Sequence, residues 1–253
     1  MIPLILVCGA PRTGTNHLCD VMRGFEALKA HGEVFARDHM FTCSAEDVAA
    51  LIDETGCQVP LHAGSPSTTQ LAYEEPFATI AALWRARRPE HRALSLKLFG
   101  YHLPRGVTDE LFRLGARPIV VKRRIIDAYA SKLKAQRLQQ WVKVDTTLVK
   151  VRGDVRDLRY YLDRHQRWYD YLAERCPDAP VLRYEDDICG DPSALAERIR
   201  ECVPEVDLGA WEARRGLSRQ DRTQSVADKF ANWDEFEAEL VEHGLHNRVQ
   251  GYF

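Results

Sequence analysis

The sequence predicts an α/β fold, a parallel sheet flanked by helices and built around a phosphate-loop-like turn. Three observations predict it. An apolar run, IPLILVC (2–8), leads directly into the Gly-rich stretch GAPRTGTN (9–16). Three more short apolar runs alternate with amphipathic segments along the chain. No linker-like composition divides the 253 residues, which therefore read as one domain, 1–253.

Taken in order, residues 2–8 form a continuous apolar strand of the kind buried on both faces. Leu18, Val21, Met22 and Phe25 recur at i, i+3, i+4 and i+7, a helix with one buried face. Residues 36–92 read as an inserted helical and loop region, of a length that often serves as a binding lid. In it AEDVAALIDE (45–54) predicts a helix, HAGSPSTTQ (62–70) a loop, and EPFATIAALWRARR (75–88) a helix with a basic end. Phe77 and Trp84 either line a pocket there or pack the lid itself. ALSLKLF (93–99) predicts a strand and DELFRLG (109–115) a short helix. RPIVVKR (117–123) is a strand that runs straight into the helix IIDAYASKLKAQRLQQW (125–141). A long helix around 155–175 carries Leu158, Tyr161, Leu162, His165, Trp168, Tyr169 and Leu172, its aromatics read as core. APVLRYED (179–186) predicts a strand, 192–201 a helix, LSRQDRTQSVADK (217–229) a polar loop, and NWDEFEAELVEHG (232–244) a closing helix.

Composition excludes several classes. Hydrophobic residues are 45% and charged residues 28%, with a formal net charge of −2, so no global field points to nucleic acid or an anionic membrane. No apolar run reaches membrane-spanning length, and the first run meets Pro11-Arg12 instead of a small-residue cleavage site. Seven scattered cysteines without a CxxC pair argue against a zinc site and suit a reducing compartment; the expectation is a cytoplasmic protein without a metal.

The chemistry concentrates in two places. Gly9 and Gly14 have the spacing of GxxxxGK[ST], but Thr15 and Asn16 stand in the Lys and Ser/Thr slots. A strand-to-helix turn of this kind presents backbone N–H groups and the positive helix end to an anion. Thr13 and Thr15 add hydroxyls, and Arg12 adds a planar, fixed charge. Without the lysine, and without an evident Walker B aspartate, a ligand lacking a metal-bridged triphosphate fits better. The second place is the strand–helix junction at 122–131, where Arg123 precedes Ser131 by eight residues. An arginine at a strand's carboxyl end lies at the edge where open α/β sheets bind ligands. RARRPEHR (85–92) is a further basic run, read as a solvated helix end.

Together these segments resemble the PAPS-dependent sulfotransferases. PRTGT (11–15) is similar to that family's 5′-phosphosulfate loop, and Arg123 with Ser131 to its 3′-phosphate motif. LKLFGYHLP (96–104) resembles its lysine-plus-histidine segment, VLRYEDDICGDP (181–192) its YEDxxxDP segment, and RQDRTQSVADKFANWDEF (219–236) its nucleotide-covering tail and N-x-x-E helix. HGEVFAR (31–37) looks like the GE-F segment of bacterial enzymes that sulfate trehalose and nodulation factors. Arg12 stands where the cytosolic animal branch has a lysine, and the tail lacks that branch's RKG triplet.

The resemblance implies 3′-phosphoadenosine 5′-phosphosulfate (PAPS) as the donor, no metal, and in-line transfer to an acceptor hydroxyl. Pro11, Arg12, Thr13, Gly14, Thr15, Asn16, Arg123, Ser131 and a tail arginine, Arg219 or Arg222, would bind the donor. Arg12 and Lys97 would stabilise the transferring group. The base is Glu33, as in the bacterial branch, or His102, as in the animal branch. Glu33 is favoured, with an expected pKa above the usual range and a carboxylate that holds no partner before the acceptor arrives. The acceptor is expected to be a small molecule or a carbohydrate or glycolipid hydroxyl, shaped by residues 36–92. A P-loop small-molecule kinase and a non-catalytic nucleotide-binding protein are the alternatives. The sequence fixes no oligomeric state.

Overall fold

The computed structural model of the chain describes residues 2–37, 43–58, 62, 65–141, 144–213 and 225–253. Its centre is β1 (Leu4–Gly9), whose six residues are all buried. β3 (Ala93–Phe99) pairs with it on one side and β4 (Arg117–Lys122) on the other. β2 (Leu28–Ala30) lies outside β3, and β5 (Val181–Arg183) outside β4. Every pairing is parallel, in the order β2-β3-β1-β4-β5.

Parallel strands need crossovers, and the helices supply them. α1 (Thr15–Met22) joins β1 to β2; α2 (Ala45–Thr55), α3 (Pro66–Glu74) and α4 (Pro76–Arg85) join β2 to β3. α5 (Arg105–Arg113) leads to β4, and α6 (Ile125–Leu138) and α7 (Val155–Arg175) to β5. α8 (Pro192–Cys202), α9 (Trp233–Glu242) and α10 (His246–Gln250) complete the described chain. Alternation along the strands divides the core in two. Leu4, Leu6 and Cys8 face one way with Leu94, Leu96 and Leu98, against α4, α6, α7 and α9. Ile5 and Val7 face the other way with Ile119 and Val121, against α1 and α8. Among the described residues no helix is long and apolar enough to cross a membrane.

The departures from the sequence reading have local causes. The 62–70 stretch is not all loop: Ser65 caps α3 by accepting from Thr68 N–H, and Pro66 takes the first helical position. The helix expected at 109–115 begins earlier, at Arg105, after Pro104. The strand expected over 179–186 shortens to three residues, because a π-helical turn, Tyr184–Ile188, replaces its end. Residues 36–92 are less an insertion than the β2-to-β3 crossover, since Ile80 and Leu83 of α4 belong to the main core. β2 and α10 have no counterpart in the sequence reading.

His165 on α7 lies between the rings of Tyr161 and Phe253, at centroid distances of 4.5 and 5.9 Å. Burial, then the charges of Arg164 and Lys132, lower its pKa from 6.5 to about 4. A histidine buried neutral stabilises the fold above its unfolded pKa and ceases to do so as pH falls through the folded one. The unfolding free energy read from urea titrations is therefore expected to fall between about pH 6.5 and 4, by no more than about 3 kcal/mol from this group. A His165→Phe variant should flatten the dependence in that window; an unchanged slope would contradict the assignment.

Candidate functional site

All the candidate residues that the structure describes stand at the carboxyl ends of β1, β3 and β4 or on the segments that follow them, with Glu33 just beyond β2. The turn after β1 is closed by Thr13, whose hydroxyl donates to Ala10 O at 2.7 Å. Thr13 is fully buried, so its hydroxyl closes the loop and is not offered to a ligand, a correction to the sequence reading. Arg12 has a positive φ of 71° and Gly14 one of 93°. These successive turns aim the first N–H groups of α1 outward, and no side chain caps that helix. Thr15 and Asn16 are its first two residues.

Gly14 has a second reason to be glycine. A Cβ there would stand 2.3 Å from Cδ2 of Tyr184, the first residue of the π-helical turn. Tyr184 in turn lies under the Arg123 guanidinium, 4.2 Å from ring centroid to Cζ. Gly14→Ala is expected to cost at least about 1–2 kcal/mol from backbone strain alone and to displace Tyr184. Chemical denaturation measures this, and an unchanged midpoint would refute it.

The two anion motifs, far apart in sequence, meet in space. Arg12 Nε donates to Ser131 Oγ at 3.0 Å, across 119 residues. Arg123 Nη1 donates to Arg12 O at 2.9 Å. Arg12 also reaches Trp141 O. Burial, then the neighbouring charge of Arg123, lower the Arg12 pKa to about 10. Two guanidiniums held this close favour an anion between them. Arg123 is 8% exposed, and its Nε has no hydrogen-bond partner among the described residues. The Glu185 carboxylate, 3.8 Å from that nitrogen, is beyond hydrogen-bonding range and accepts weakly from Arg124 N–H instead. The YED segment thus supplies a ring to support Arg123 and a carboxylate to balance it.

On the α1 face of the sheet, Lys97 is the one charged residue of a buried strand and is only 3% exposed. It is no ordinary strand-end lysine, because a buried ammonium must be paired. It donates to Asn16 Oδ1 and lies 2.6 Å from Glu33 Oε1. His102 is fully buried, and its Nδ1 accepts from Phe99 N–H at 3.2 Å. In the neutral ring the proton then sits on Nε2. That nitrogen stands 3.5 Å from Glu33 Oε2, long for a hydrogen bond but close enough to orient the carboxylate.

Glu33 corrects one expectation. Its burial works to raise its pKa, but His102 and the charge and hydrogen bond of Lys97 outweigh it, holding the pKa at about 2. The carboxylate is not without partners: Lys97 and His102 hold it.

Tail residue Arg219, like Arg222, lies outside the described residues. The described chain resumes at Ser225 and docks close to the arginine pair. Lys229 forms a buried ion pair with Asp127, two residues into α6 after Ile125, and Arg124 pairs with the same carboxylate at 2.8 Å. Asn232 of the N-x-x-E segment bonds both the N–H and the C=O of Gly153, a structural clasp. The basic run at 85–92 is mostly engaged: Arg85 pairs with Glu54, Arg88 with Glu90, and Arg87 stacks on Trp84.

Possible metal donors come together at His31, Cys43 and Asp47, whose ligand atoms lie within 4.8 Å of one another, a trio that sequence spacing did not reveal. Both oxygens of Asp47 are engaged, by Lys29 Nζ and by Ser44 N–H. Burial, then Asp47, push the Cys43 thiol up to about 12. This donor set, with an ammonium already on its carboxylate, suits a structural polar cluster better than a cation.

The fold is an α/β protein with a five-stranded parallel sheet, and the candidate residues gather at its carboxyl edge. No protein-family model matches the chain, and no curated protein does. A solved structure, mouse sulfotransferase SULT7A1 complexed with PAP, is similar at a TM-score of 0.35 and 14% identity, over 99% of this chain and 89% of that one. A likeness this distant carries no weight for function, which rests on the residues themselves.

Proposed function

We propose that this protein is a cytoplasmic sulfotransferase that moves a sulfonyl group from PAPS to an acceptor hydroxyl, of the carbohydrate or glycolipid kind. One observation carries the reading: Arg12 of the loop bonds Ser131 while Arg123 bonds the Arg12 carbonyl. This joins a 5′-phosphosulfate-type loop to a 3′-phosphate-type pair, the two anionic ends of that donor. The loop that lacks a P-loop lysine fits the same donor, which has no triphosphate and needs no metal bridge.

In this reading the acceptor oxygen bonds to sulfur as the bond between sulfur and the 5′-phosphate oxygen breaks. The leaving phosphate keeps the electron pair, and the acceptor's proton passes to Glu33. Arg12 neutralises charge on the departing oxygen, and Lys97 holds the sulfonyl oxygens; preorganised donors of this kind are commonly the largest catalytic contribution. His102 is a positioning residue, because its neutral tautomer presents N–H, not a lone pair, to Glu33. A carboxylate with a pKa of about 2 is a poor base. When Lys97 turns to the donor's sulfonate, Glu33 loses its main counter-charge and its pKa rises toward the ordinary 4.5. Donor binding thereby arms the base. Residues 36–92, which lead from Glu33 to the strand of Lys97, would border the acceptor.

The test is an assay with sulfur-labelled PAPS and a panel of sugars and glycolipids. Labelled product should appear with matching release of 3′-phosphoadenosine 5′-phosphate (PAP). Binding of PAPS without transfer to any hydroxyl in the panel would favour a non-catalytic nucleotide-binding protein.

A further inference from the structure

Beside the loop lies a cavity of about 180 Å³ bordered by Gly9, Gly100, Arg105, Arg164, Arg167 and Trp168. Gly9 ends β1, and Gly100 sits in the turn between Lys97 and His102, so the cavity adjoins the proposed transfer centre. Its volume suits one functional group, not a whole ligand, since drug-sized sites run to roughly 300–1,000 Å³. The three guanidiniums are the notable feature. No carboxylate borders the cavity, and none of the three arginines forms an ion pair among the described residues. The three are exposed, as are Arg113, Arg175 and Arg198, but those pair with Glu110, Asp109 and Glu201. Aromatic rings hold two of the three instead. Arg164 lies 5.2 Å from the Tyr101 ring centroid and Arg105 lies 5.1 Å from that of Tyr171.

A second, independent observation points to a ligand. Trp168 is only 7% exposed, and its indole Nε1 is a buried donor with no partner among the described residues. A buried N–H without an acceptor is costly. The indole is fixed in place: it stacks on Tyr171 at 5.4 Å and 19°, and it lies so close to Gly100 that a Cβ there would be 2.8 Å from its Cγ. The neutral ring of His165 and Tyr101 also border the cavity, yet three guanidinium groups and an unsatisfied N–H leave the lining rich in donors and positive charge, which an acceptor-rich anion completes.

We propose that this cavity is an acceptor subsite for an oxyanion, so that the acceptor is a hydroxyl compound bearing a phosphate, sulfate or carboxylate group. The inference rests on the sulfotransferase reading for the word acceptor, and on the cavity alone for the oxyanion. The charged group seats among Arg105, Arg164 and Arg167, and the hydroxyl is presented across the Phe99–His102 turn toward Glu33.

The test separates the two. Inorganic phosphate is titrated into the protein with and without saturating PAP, at constant ionic strength made up with chloride. The Trp168 indole N–H cross-peak, assigned with Trp168→Phe, is followed by nuclear magnetic resonance. A saturable shift that persists with PAP bound is expected, and Arg164→Ala/Arg167→Ala should weaken it at least about tenfold while leaving PAP affinity unchanged. With turnover, the same double variant should lose about tenfold or more in kcat/KM for sugar phosphates and little for the uncharged sugars. No shift at Trp168, or a shift abolished by PAP, would overturn the oxyanion subsite. Equal use of charged and uncharged acceptors would overturn its role in acceptor choice. If PAP itself fails to bind while phosphate still shifts Trp168, the anion site stands and the sulfotransferase reading falls.

Discussion

Glu33→Gln is expected to keep PAP affinity and to lose turnover by about 10²–10⁴-fold, the range for removing a general base. The amide still accepts from Lys97, so the local packing survives while proton abstraction does not. With PAPS saturating, the wild-type acid limb of kcat/KM for the acceptor should lie near or above 4.5, the ordinary value for this group, instead of near the depressed value of the free protein. The same depression makes Glu33 a stabilising group above its unfolded pKa, a contribution lost as pH falls through about 2. His102→Asn, which can still accept from Phe99 N–H, should do less damage to turnover than the glutamine variant. If instead the His102 variant is dead and Glu33→Gln turns over near the wild-type rate, the base assignment reverses and sulfonyl transfer stands.

Arg123→Ala is expected to weaken PAPS binding by about 10- to 100-fold, the worth of a charge-assisted hydrogen bond of roughly 1.5–3 kcal/mol. Affinity for adenosine 5′-phosphosulfate, which lacks the 3′-phosphate, should change little. Ser131→Ala should follow the same pattern with a smaller loss, since its hydroxyl is shared with Arg12. Calorimetry with both ligands reads the difference. Because Arg123 also supports the Arg12 carbonyl, equal losses for the two ligands would mean that it props the loop and does not read the 3′-phosphate.

The core of the fold was legible wherever burial on both faces or a helical repeat left a long pattern: β1, β3 and β4, and helices α1, α6 and α7. What escaped was short or doubly encoded. β2 is three residues at a sheet edge, too few for a period to show. Ser65-Pro66 signals a loop and a helix cap equally well, and the structure uses it as a cap. The end of β5 was hidden because Asp187 bends back to accept from Arg183 N–H, turning an apparent strand into a π-helical turn. At the candidate site, the placement of the residues after strands is readable from the sequence, but their partners are not. Nothing in the chain order says that Asn16 and Glu33 share Lys97, or that Tyr184 sits between Gly14 and Arg123. Those contacts depend on strand order, which brings β3 beside β1 across an 83-residue gap between the end of β1 and the start of β3, from Gly9 to Ala93. The engagement of Glu33 by Lys97 and His102 follows from the same packing, and it is these partners that hold its pKa low in the ligand-free protein.

In the proposed function, the loop and the Arg123–Ser131 pair together bind a nucleotide charged at both its 5′ and 3′ ends. Isothermal titration of the full chain with PAP in magnesium-free buffer, beside adenosine 5′-monophosphate and ATP with Mg²⁺, tests it most directly. Saturable PAP binding without metal is expected, about tenfold or more tighter than the monophosphate. No PAP binding at high micromolar concentration, or Mg²⁺-dependent ATP binding in its place, would contradict it.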